Sequence, residues 1–135
     1  MDACGYREVE HTADWALEVW APSVEELIEQ AARGMYDLSS TSLTDAERTT
    51  RRIVVDAADA ETALVGFLEE LLYLQESERI AFETFRIELH GSELRADVEG
   101  APVATQDKEI KAVTWHDLEV ARTDSGFSAR VVFDV

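Results

Sequence analysis

Lys108-Glu109-Ile110-Lys111-Ala112-Val113-Thr114-Trp115-His116-Asp117-Leu118-Glu119-Val120 is the stretch on which the fold turns. Its two-residue alternation predicts one long strand. Ile110, Ala112, Thr114, His116, Leu118 and Val120 share a mostly apolar face; Lys111, Val113, Trp115, Asp117 and Glu119 share the other. The apolar face should meet a core and carry His116 into it, as part of a site or as a satisfied core histidine. His116 and Asp117, as strand neighbours, should point to opposite faces and form no dyad.

Outward from this stretch, Thr123-Asp124-Ser125-Gly126 reads as a turn and Phe127 to Val135 as a last strand. Phe127, Ala129, Val131 and Phe133 share one of its faces; Ser128, Arg130, Val132 and Asp134 share the other. Upstream, Gly100 to Asp107 reads as a loop containing Pro102. Before it, Phe85-Ile87-Leu89 and Leu94-Ala96-Val98 alternate on either side of Gly91-Ser92, a two-residue turn that suits a hairpin. Glu76 to Glu83 reads as a connection. Asp59 should cap a helix with Glu61 against its positive end, and Leu64, Phe67, Leu68, Leu71 and Leu72 form the most marked apolar stripe in the chain. Thr49 to Asp56 is a β-branched strand, and Ser39 to Asp45 a polar turn. Ser23 and Glu26 make a capping box that opens a helix with its stripe on Val24, Leu27, Ile28, Ala31, Met35 and Leu38. Tyr6–Glu10 and Trp15–Trp20 complete the strands. The predicted class is α+β: a mixed or antiparallel sheet core packed with two helices, residues 1–135 forming a single domain.

Hydrophobic residues make up 46 % of the 135, enough for a core despite a net charge of -17. That charge disfavours nucleic acid and anionic membrane, and favours cations or a basic protein partner. Membrane-spanning and signal-like segments are not evident, and the single Cys4 forms no internal disulfide, so the expected compartment is the cytoplasm. Of twelve basic residues only Lys108 and Lys111 are Lys, and both fall in the opening stretch.

The candidate chemistry gathers in three places: His11-Thr12-Ala13-Asp14, His116, and Phe133-Asp134-Val135. If Val135 is the terminus, Asp134 and the α-carboxylate are adjacent anionic groups, and Asp14 would add a third. Such hard oxygen ligands suit Ca²⁺, Mg²⁺ or Mn²⁺; alternatively, Asp14 and Asp134 are separate solvated charges. Phosphate loops, nucleophile elbows and paired helical histidines do not occur. His90, beside its turn, is given no role.

His11-Thr12-Ala13-Asp14, Leu71-Leu72-Tyr73-Leu74, Glu109 to His116 and Val132-Phe133-Asp134-Val135 occur in the order and spacing of the archease family, which this chain resembles over nearly its whole length. The resemblance implies a non-catalytic cofactor of the tRNA-splicing RNA ligase that joins 3′-phosphate or 2′,3′-cyclic phosphate ends to a 5′-hydroxyl using GTP. Such a cofactor assists GMP transfer to the ligase and its multiple turnover. Carried over, the metal ligands are Asp14, Asp134 and Val135, with calcium the ion. His11, His116 and Lys111 would lie near the ion or face the partner. The chain departs from the family pattern in one place: no His precedes Ile110 in the loop from Pro102 to Asp107. Two other functions fit the residues alone: a free-standing chaperone or protein-binding module, which needs an exposed apolar patch, and a metal-dependent hydrolase, which needs a pocket holding His116 and Asp134.

Overall fold

The computed structural model describes residues 3–9 and 15–135. Among them the chain runs β1 (Gly5–Val9), β2 (Trp15–Ala21), α1 (Val24–Leu38), β3 (Ser42–Leu43), β4 (Thr49–Asp56), α2 (Ala60–Glu78), β5 (Ile80–His90), β6 (Glu93–Thr105), β7 (Ala112–Thr114), β8 (Ala121–Thr123) and β9 (Gly126–Asp134). The described strands form two antiparallel sheets. One has the order β1-β2-β9-β7, with β8 also on β9; the other is built on β6, with β4 and β3 on one side and β5 on the other. This is the α+β architecture read from the sequence, in its two-sheet form.

The helices join the sheets. α1 packs on β1, β2 and β9 of the first sheet and β5 of the second; α2 packs on β4, β5 and β6 of the second and β7 of the first. One core results, with Leu17, Leu27, Ile28, Leu64, Phe67, Leu68, Leu94, Val131 and Phe133 essentially inaccessible. Both caps form as predicted. The Ser23 Oγ accepts from the Glu26 amide at 3.2 Å, and an Asp59 Oδ1 accepts from the Thr62 amide at 2.8 Å. Gly34 is needed for close approach: a Cβ there would stand 2.7 Å from Leu17 Cδ1 and 2.9 Å from Tyr6 Cδ1. The Tyr6 hydroxyl donates to the Asp37 carboxylate, tying β1 to the end of α1. Partial burial, reinforced by that carboxylate, pushes the Tyr6 phenol up to about 12.

Ser39 to Asp45 is not wholly a turn, because Ser42 and Leu43 pair with β6 as β3. Four further expectations fail, each for a physical reason. The segment Gly100 to Asp107 is not a loop: β6 runs on to Thr105, and Gly100 is the place where β5 crosses so near that a Cβ would lie 1.9 Å from the Ala81 carbonyl oxygen. Pro102 has no donor to give the ladder, but its carbonyl accepts from the Thr44 amide at 2.9 Å, beyond the end of β3. The connection Glu76 to Glu83 is instead the end of α2, a left-handed cap at Arg79 (φ 53°), and the start of β5. The more sharply two-sided helix is α1. α2 also buries Val65 and Leu74, outside its expected stripe, because both sheets press on it, while Leu72 is only half-buried.

The fourth is the long strand from Lys108 to Val120. Only Ala112–Thr114 and Ala121–Thr123 pair with β9. Thr114 opposes Val132 and Ala121 opposes Ser128, so six residues face three, and the surplus is expelled from the sheet edge as a loop over 115–120. Val113, not Ala112, points to the core, and Ile110 is buried from the segment before the strand.

Candidate functional site

β9 ends with Phe133 wholly buried and Asp134 exposed, although Val132, on the same side of the strand as Asp134, is buried. Trp15 is registered on Phe133 and Ala112 on Asp134, which brackets the end of β9 between β2 and β7. The Lys111 amide donates to the Asp134 carbonyl at 2.8 Å, fixing the backbone that carries the carboxylate. The Lys108 ammonium lies 5.0 Å from the centre of the Trp15 ring, a cation–π contact at the same sheet end. The two lysines of the chain therefore meet where β2, β7 and β9 converge.

His116 is not in a core. It sits in the expelled loop, well exposed, and its Nε2 lies 3.2 Å from the Asp117 carboxylate, so the neighbours that a strand would separate are a pair here. The reason is the turn itself: Asp117 is left-handed (φ 54°), and the Leu118 amide donates back to the Trp115 carbonyl at 3.2 Å. The loop is tied to α2 by one contact that the sequence did not signal: the Val120 amide donates to the Glu61 carboxylate at 3.1 Å. A groove of about 520 Å³ lies between the loop and the outer face of β2 and β9, with Glu18, Asp117, Glu119 and Arg130 along it.

Of the residues singled out from sequence, His11 and Asp14 lie outside the described residues. Asp134 and Val135 stand together at the end of β9, and Lys111 adjoins them through its backbone. His116 is the second residue of the loop, two after Thr114, which opposes Val132. No hydrogen bond or ion pair joins His116 to Asp134. Among the described residues no three His, Cys, Asp or Glu groups converge enough to hold a metal ion. The Asp134 carboxylate has no hydrogen-bond or ion-pair partner among the described residues, a state it shares with other surface carboxylates such as Glu69, Glu76 and Glu109. Asp134 alone offers one exposed hard oxygen donor on a fixed backbone, the donor type that divalent cations take in sets of six or more (~6–8 for Ca²⁺). No described helix is long and apolar enough to cross a membrane.

This fold and strand end define a small acidic α+β protein of two antiparallel sheets bridged by two helices. A family model for the Archease protein family matches residues 6–135. The chain belongs to the archease family. It is 33 % identical to the archease of Methanosarcina barkeri, over 96 % of this chain and 95 % of that one, and 34 % identical to that of Archaeoglobus fulgidus, over 96 % and 98 %. A crystal structure of an archease from Thermotoga maritima, described with the words "possible chaperone", superposes with a TM-score of 0.71 at 30 % identity, covering 96 % of each chain. A solution structure of a Methanobacterium thermoautotrophicum protein gives 0.73 at 26 % identity, over 97 % and 99 %.

Proposed function

We propose that this chain is a non-catalytic cofactor of a GTP-dependent tRNA-splicing RNA ligase of the 3′-phosphate type, working in the cytoplasm to promote GMP transfer to the ligase and its multiple turnover. The observation that carries this reading is the uncommitted Asp134 carboxylate at a fixed strand end, on a chain that matches archeases nearly end to end. Asp14, Asp134 and the α-carboxylate of Val135 would hold the ion, Ca²⁺ by family resemblance or Mg²⁺ or Mn²⁺ by donor type. A bound divalent ion supplies positive charge that offsets charge on a transferring phosphoryl group. The acidic surface steers the protein to a basic face of the ligase, Lys111 holds Asp134 in place through its backbone, and His11 and His116 flank the approach.

The other readings find less support. A chaperone needs one continuous apolar patch, and the exposed large hydrophobics Val54, Tyr73 and Trp115 belong to β4, α2 and the expelled loop. A hydrolase needs His116 and Asp134 in one pocket, and neither lines the described grooves. The test is RNA ligation by the cognate ligase with and without this protein. Stimulation by the wild type and none by Asp14→Ala or Asp134→Ala supports the proposal. Equal stimulation by both variants removes the carboxylates from it.

A further inference from the structure

β5 is an edge strand of 11 residues, and among the described residues it pairs with β6 alone. Gly91 (φ 60°) and Ser92 close its hairpin on the pair His90 and Glu93, which turns the amide and carbonyl of His90 toward β6. Strand alternation then turns those of Phe85, Ile87 and Leu89 outward, where no described group outside the sheet bonds to them. The side chains of these three residues are half-buried beside the core. Long edges are usually guarded by lysine, proline or a bulge. Residues 84–90 contain neither lysine nor proline, and the irregularity of register in β5 lies before them, between Phe82 and Thr84.

The charges point to the occupant. Arg86 and Glu88 cancel, so this strip is neutral, with His90 uncharged, on a chain of net charge -17. Elsewhere two copies approaching one another meet like charge. The strip is also self-complementary. In an antiparallel pairing about a two-fold axis at Ile87, Ile87 faces its own copy, Phe85 faces Leu89, and Arg86 faces Glu88. Moving the axis by one residue either way sets Arg86 or Glu88 against itself. Arg86 makes no ion pair among the described residues, because its cross-strand neighbour Asp97 is held by Arg52 at 3.0 Å. Glu88 bonds His90 at 2.9 Å through one carboxylate oxygen, leaving the other open. β4, the opposite edge of this sheet, has no such spare charge pair: Glu78 holds Arg51 and Asp97 holds Arg52.

We infer that the free edge of β5 pairs with the same edge of a second copy of this chain, two β5 strands meeting antiparallel about Ile87 to make one continuous sheet across a symmetric dimer. Main-chain hydrogen bonds would supply the attraction, and the Arg86–Glu88 pairs would fix the register. An interface so narrow falls short of the standard size of about 1,200–2,000 Å², so the dimer should be concentration-dependent rather than permanent. The inference goes beyond the ligase reading and rests on no part of the metal site.

The test is sedimentation equilibrium over a range of protein concentrations at physiological ionic strength, where charges more than about 8 Å apart are largely screened. The wild type should pass from monomer to dimer. Arg86→Glu and Glu88→Arg each set like charges across the axis and should weaken dimerisation by about tenfold or more. The double exchange Arg86→Glu with Glu88→Arg restores opposite charges and should recover it. Arg52→Glu, the same change of charge on β4, should leave it unaltered. Thermal melts establish that each variant folds. Hydrogen exchange reads the wild type alone: the Phe85, Ile87 and Leu89 amides should gain protection as concentration rises. A wild type that stays monomeric at its highest soluble concentration would overturn the inference. So would single variants that dimerise as well as the wild type, a double exchange that folds yet stays monomeric, or protection gained elsewhere than at those three amides.

Discussion

Replacing Glu61 by Ala should free the loop over 115–120 while leaving both sheets intact. Glu61 does two jobs in the first turn of α2. It accepts the part-buried Val120 amide at 3.1 Å, and it places a negative charge at the helix N-terminus. An amide left without its acceptor costs about 1–2 kcal/mol, and the lost charge at the dipole about 0.5 kcal/mol. For a chain of this length about 0.3 kcal/mol shifts the melting temperature by one degree, so Glu61→Ala should melt roughly 5–8 °C lower. Glu61→Gln keeps an acceptor oxygen and should recover most of that. Amide exchange separates the tether from general destabilisation. Val120 and Leu118 should exchange much faster in Glu61→Ala, beyond what the global change explains, while Leu94 and Val131 track global stability. Unaltered protection at Val120 would refute the tether.

Gly100→Ala should prevent normal folding or cost more than about 3 kcal/mol, because its Cβ would overlap the Ala81 carbonyl; a urea midpoint near wild type would contradict that crossing. The Tyr6 phenol has its folded-state value raised from 10.0 to about 12, so its contribution is complete below pH 10 and fades as pH rises through about 12; Tyr6→Phe should flatten the alkaline end of the stability curve. The Asp59 carboxyl, lowered by its bond to Thr62, and Glu78, lowered by Arg51, act oppositely: their stabilisation is present above the ordinary carboxylate range and lost as pH falls through their depressed values, so Asp59→Asn should flatten the acid limb in urea melts between neutral and acid pH. Appending residues after Val135 should weaken Ca²⁺ binding in calorimetry, while the same tag at the N-terminus should not; equal affinities would take the α-carboxylate out of the ligand set.

What the sequence disclosed was whatever local chemistry decides. Ser23 and Asp59 announce their helices because a side-chain oxygen at that position satisfies an amide that nothing else would. β4 was read with its observed bounds, and Gly91-Ser92 marked its hairpin. Asp134 stands out because it is the charged residue that follows the buried run Val131-Val132-Phe133 at the end of the last strand. What it concealed depends on partners far along the chain. Nothing within residues 108–120 says that β9 offers only three positions for six residues, and so His116 read as a core residue when it is a loop residue. β6 continues through Gly100 and Pro102 because β5 lies against it, which no local signal records.

The central claim is that the carboxylates around Asp134 act on the GMP-transfer step of a partner ligase. The most direct measurement is single-turnover guanylylation of the purified ligase with labelled GTP, with wild-type protein, with Asp134→Ala and without either. The account predicts a faster guanylylation rate with the wild type, and a rate with Asp134→Ala equal to that of the ligase alone, although the variant melts like the wild type. A guanylylation rate that the wild type does not change, or that Asp134→Ala raises equally, would contradict it.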